Sequence, residues 1–117
     1  MNAVKLAAKA YVSEGSLSNV VVKIMNEDDG MIELLVALGF VAVPGAEKEV
    51  FSLTAPDQNF KIRLFEKLRD EGVCFSAGQD WSPAEVFEFL RDNGMLTGPY
   101  RKIVWDGPRR SRVIEGC

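Results

Sequence analysis

The sequence predicts an α+β fold, mainly helical, with one small antiparallel β-hairpin and a C-terminal extension made of a further helix and hairpin. Three observations predict it. Residues 30–40 carry apolar side chains at 31, 34, 35 and 38, the i, i+3, i+4, i+7 spacing of a helix. From Phe40 to Val43, and again at Val50-Phe51-Ser52-Leu53, the sequence is β-prone and alternating, with Pro44-Gly45 between the two runs. Ser82-Pro83-Ala84-Glu85 sets Ser at an N-cap, Pro at the first helical position and Glu where a capping box needs it.

The elements follow in order. Residues 3–12 are alanine-rich and read as a first helix, with Val4, Ala7, Ala8 and Tyr11 on one face and Lys5 and Lys9 on another. Ser13 to Ser16 reads as a turn. Val20 to Met25 stays open: the β-branched run favours a strand, while Leu17, Val21, Ile24 and Met25 fit a helical face. In the 30–40 helix, Ile32, Val36 and Ala37 extend the apolar surface most of the way round, which predicts a buried central helix. Asp28 or Asp29 is placed to cap it, and Gly39 to end it in a left-handed conformation with Phe40 folded back. Asp57 opens an amphipathic helix to about residue 70, closed by Gly72. Val73 to Ser76 suits a short strand, 82–92 a helix ended by Asn93-Gly94, and Ile103-Val104-Trp105 with Val113-Ile114 a terminal hairpin.

At 117 residues the chain is one domain, or one with an appended piece. With 47% hydrophobic and 26% charged residues it reads as soluble and globular. No stretch approaches the ~20 apolar residues that span a bilayer, and Met1 to Ala10 does not read as a secretory signal. Cys74 and Cys117 make no disulfide framework, which favours a reducing compartment, cytoplasmic or nuclear. There is no histidine, which removes Ser-His-Asp and Cys-His nucleophile pairs and every His-containing zinc site. The chain therefore reads as a non-enzyme without metal or cofactor. The net charge of −3 is unevenly spread. Residues 1–99 hold nine Lys/Arg against fifteen Asp/Glu, and residues 100–117 hold five against two. An acidic body with a basic tail argues against a whole-domain nucleic-acid binder.

Tyr11, then Leu17-Ser18-Asn19, then Gly30 and the run Met31-Ile32-Glu33-Leu34-Leu35-Val36-Ala37-Leu38-Gly39-Phe40 resemble the signature of the PUB (or PUG) domain. This is the helical module of peptide:N-glycanase and UBX-type adaptor proteins. The resemblance covers residues 1–72, with a hairpin counterpart at 41–53 and a closing helix at 57–70, and leaves 73–117 as an extension packed on that domain. It implies a non-catalytic module of the ubiquitin-proteasome system that binds the acidic, aromatic-bearing C-terminal tail of the valosin-containing AAA ATPase. Carried over by position, Tyr11 would be the aromatic wall of the peptide pocket, Asn2 its amide, and Lys5 and Lys9 its cations.

Other constellations read more simply. Glu27-Asp28-Asp29 lacks the alternation of a calcium loop and suits helix capping. Cys74 reads as an inert, semi-buried thiol. Arg109-Arg110-Ser111-Arg112 could touch phosphate and gives the alternative reading, a nucleic-acid-associated protein acting through its tail. Glu85 and Glu88 are the carboxylates an enzyme would use. Trp81 and Trp105 suit either a contact surface or packing of the last 45 residues.

Overall fold

The computed structural model describes residues 10–15, 18–25, 29–45, 49–77, 81–107 and 110–116. Its centre is a seven-stranded mixed sheet, with three short helices. In chain order the elements are β1 Ala10–Glu14, β2 Asn19–Ile24, α1 Asp29–Leu38, β3 Val41–Ala42, β4 Val50–Thr54, α2 Gln58–Asp70, β5 Cys74–Ser76, α3 Pro83–Asp92, β6 Tyr100–Gly107 and β7 Arg110–Gly116. Across the sheet the strands run β3-β4-β2-β1-β5-β6-β7. β1, β5 and β6 are parallel neighbours, while β1–β2, β2–β4, β3–β4 and β6–β7 pair antiparallel.

This overturns the expectation of a mainly helical, PUB-like domain with one small hairpin. The hairpin is there as β3–β4, but β4 also pairs with β2 through Asn19↔Thr54 to Lys23↔Val50. β5, from the segment 73–117, lies between β1 and β6, so one sheet runs through both parts of the chain. The helix expected through Tyr11 is a strand from Ala10 onward. Ala10 and Val12 are fully buried and Tyr11 between them is half-buried, a period of two that burial imposes over the helix propensity of alanine. The open choice at Val20 to Met25 resolves to a strand, with Val20, Val22 and Ile24 on the same covered face as Val12.

The helix at 29–38 forms where the spacing places it, but it is not a central rod. Met31 and Leu35 are buried, Leu34 and Leu38 half-buried, and Val36 is 57% exposed, so one stripe faces the sheet and the other faces solvent. Gly39 ends it with φ 107, and the Phe40 amide donates back to the Leu35 carbonyl at 2.9 Å. Asp57 caps α2, accepting from the Phe60 amide at 2.8 Å. The capping box of α3 closes both ways: the Glu85 amide donates to the Ser82 hydroxyl at 3.4 Å and the Ser82 amide to the Glu85 carboxylate at 3.3 Å.

The densest packing lies where α2 and α3 meet β5 and β6. Phe87 stacks on Tyr100 with ring centroids 4.4 Å apart, and Phe75 meets Phe87 at 5.0 Å and Phe65 at 5.1 Å. All four rings are essentially inaccessible to solvent. Such pairs add to the burial term itself. The Tyr100 hydroxyl donates to the Glu88 carboxylate, and the Lys102 ammonium stands 3.5 Å from the same carboxylate. Among the described residues no helix is long and apolar enough to cross a membrane.

Candidate functional site

Strand alternation sends side chains to two faces, and the helices cover one of them. Ala10, Val12, Val22, Phe75 and Tyr100 share a single core with Leu35 of α1, Phe65 of α2 and Phe87 of α3. The alternate residues point the other way. Register places Lys23 beside Tyr11 and Tyr11 beside Cys74, while Ser76 stands beside Ile103 and Ile103 beside Val113. Here Cys74 and Ile103 are fully buried by a small cluster with Tyr11, Met25 and Val113. No helix among the described residues contributes to that cluster.

Trp105 stands at the rim of this face, 39% exposed, edge-to-face with Tyr11 at 5.5 Å between centroids and 65° between planes. Lys23 and Arg101 lie on the same face, half-buried, and neither makes a hydrogen bond or ion pair with another described residue. Burial pushes the Tyr11 hydroxyl and the Cys74 thiol above their ordinary pKa values, and the nearby Arg101 charge pulls Cys74 partly back. A buried thiol held protonated is a poor nucleophile. The Ser13 hydroxyl donates to the Val21 carbonyl at 3.4 Å. The face therefore offers aromatic surface and positive charge. Its border, β7, pairs with β6 alone among the described strands.

The acidity of the chain sits mostly elsewhere. Glu33, Glu66, Asp70, Glu85, Glu88 and Asp92 are all on the helices, while Glu14 and Glu49 lie at or beside strand ends. On the sheet itself, Glu115 of β7 stands opposite Arg101 of β6 in the register.

Of the residues expected to form a peptide pocket, Tyr11 alone lies among the described residues; Asn2, Lys5 and Lys9 lie outside them, as do Glu27, Asp28 and Arg109. Tyr11 projects from a strand onto the sheet face, so its neighbours are Trp105, Lys23 and Cys74, not residues a helical turn away. Glu88 holds Tyr100 and Lys102, and one oxygen of Glu85 serves the α3 cap. Lys23 and Arg101 are absent from the site the sequence suggests. The signal that finds them is period-two counting: Lys23 alternates with Val22 and Ile24, and Arg101 with Tyr100. No family model, no curated protein and no solved structure matches the chain.

Proposed function

We propose that the protein is a non-catalytic binding module that takes an acidic, aromatic-bearing peptide on the sheet face that no described helix covers. The observation that carries this reading is Trp105: a large aromatic ring left 39% exposed, braced edge-on by Tyr11, on a face holding the half-buried cations Lys23 and Arg101, neither of which is ion-paired to a described side chain. Tryptophan and tyrosine offer wide contact area at small entropic cost, and arginine pairs carboxylates through two parallel bonds. The edge of β7 that no described strand pairs adds a backbone ladder for an extended segment. A strand added there lies about 10 Å from β6, within reach of side chains leaning onto Trp105.

The acidic tail of a valosin-containing AAA ATPase is the first peptide to try. Titrated into the full chain carrying Trp81→Phe, it should change the fluorescence of Trp105 saturably, and Trp105→Ala or Arg101→Gln should weaken binding measured by calorimetry. The five-to-two basic excess of residues 100–117 makes a single-stranded oligonucleotide the necessary competitor. The reading fails if no acidic aromatic peptide saturates below about 1 mM. It fails equally if the oligonucleotide binds more tightly with a steep salt dependence, which would make the face a nucleic-acid surface.

A further inference from the structure

The outer surface of α3 carries a second constellation, remote in chemistry from the sheet face. Trp81 and Phe89 are 59% and 47% exposed and meet edge-to-face at 5.7 Å, 75° between planes. With Glu85, Glu88 and Asp92 they line a groove of about 420 Å³. The spacing explains the assembly: 85, 88, 89 and 92 recur at i, i+3, i+4 and i+7, one stripe of the helix, and Trp81 stands just ahead of the Ser82 cap at the stripe's N-terminal end. The buried stripe of the same helix is Ala84, Val86, Phe87 and Leu90, so the core does not require Phe89 or Trp81.

The charges on this stripe are not all spent. Glu88 is occupied by Tyr100 and Lys102, whereas Asp92 makes no hydrogen bond or ion pair with another described residue, and Glu85 keeps one carboxylate oxygen beyond its bond to the Ser82 amide. Among the described residues no three acidic or cysteine side chains converge closely enough to hold a metal ion. Two exposed rings beside two carboxylates with a free oxygen suit a different cation, one with a flat or apolar body that can lie on an aromatic face while its charge reaches a carboxylate.

We infer that this groove binds an arginine-bearing peptide segment, with the guanidinium over Trp81 or Phe89 and paired to Glu85 or Asp92. Charge complementarity fixes the occupant. An acidic peptide is repelled by the three carboxylates, and a neutral apolar helix would leave them desolvated without partners.

The test uses the full chain carrying Trp105→Phe, so that Trp81 is the only fluorescent tryptophan. The probe is a capped peptide with two arginines spaced by glycine and serine, set against the same peptide with citrulline in place of arginine. The arginine peptide should quench saturably, and its affinity should fall with added salt. Asp92→Asn and Glu85→Gln, the latter keeping a capping-box side chain, should each weaken binding several-fold. Trp81→Gly, followed by calorimetry, should weaken it about tenfold. That variant relieves the backbone, because Trp81 has φ 58, a left-handed conformation that favours glycine. Equal binding of the citrulline peptide, or no saturation below about 1 mM, overturns the inference. So does concentration-dependent self-association abolished by Trp81→Gly, which would make a second copy the occupant.

Discussion

The two faces of the sheet come from the same strands by the same alternation, yet they hold their side chains in different ways. Phe75 and Ile103 are both completely inaccessible to solvent. Phe75 reaches that state inside a cluster of four rings with α2 and α3 laid over it. Ile103 reaches it in a cluster with Cys74, Tyr11, Met25 and Val113 to which no described helix contributes. Equal burial therefore does not mean equal confinement. A site closed by helices cannot relax around a lost side chain, whereas a site roofed by sheet side chains can collapse or admit water.

The largest effect follows from this on the helix side. Phe87→Ala removes the ring that stacks on Tyr100 and touches Phe65 and Phe75, and it should cost about 3–5 kcal/mol in a urea melt. Ile103→Ala, at the same zero exposure, should cost about 2 kcal/mol, the low end for a buried aliphatic truncation. Equal losses at the two positions would break the distinction between the faces.

The two tyrosines sharpen it, one on each face. Burial raises the pKa of both. Tyr100 is raised further by its hydrogen bond to Glu88 and by that carboxylate's charge, with Arg91 opposing. Lys102 also faces the Glu88 carboxylate. A folded-state value above the unfolded one means that the unfolded chain loses the proton first. Stability from this source is complete below about pH 10 and declines as pH rises above it. Phenolate absorbance should therefore show Tyr11 titrating ahead of Tyr100, and Tyr11→Phe should remove the earlier step. Urea melts should show a shallower alkaline decline for Tyr100→Phe than for Tyr11→Phe; the reverse order would place the more confined hydroxyl on the face without a described helix.

How much of this was legible in the sequence depends on how local each signal is. The caps of α2 and α3 and the Gly39 stop are set by residues a few positions apart, and they stand where the sequence puts them. The sheet is another matter. β5 is three residues long and is held by parallel pairing to β1 and β6, so the contacts that make it a strand come from far along the chain. Ala10-Tyr11-Val12 carries helix propensity that tertiary burial overrides. The run 30–40 looks apolar on every side because Val36 and Ala37 are tolerated in solvent, and apolar surface alone does not mark the inside. For the candidate site, Tyr11 and Trp105 are visible as residues, but their pairing needs β5 inserted between β1 and β6, so that both rings share one sheet face.

The smallest expected effect bears most directly on function. Trp105→Ala should change stability by no more than about 0.5 kcal/mol, because the ring is 39% exposed and its one aromatic neighbour among the described residues, Tyr11, is itself only half-buried. An exposed indole that stabilises so little is a poor choice for a rim position, where a polar side chain would keep the sheet face wetter and discourage association. If a urea melt instead shows Trp105→Ala costing as much as Ile103→Ala, the ring belongs to the packed cluster of Cys74 and Ile103. Its exposure would then be incidental to packing, and the case for a contact surface on this face would lose its anchor.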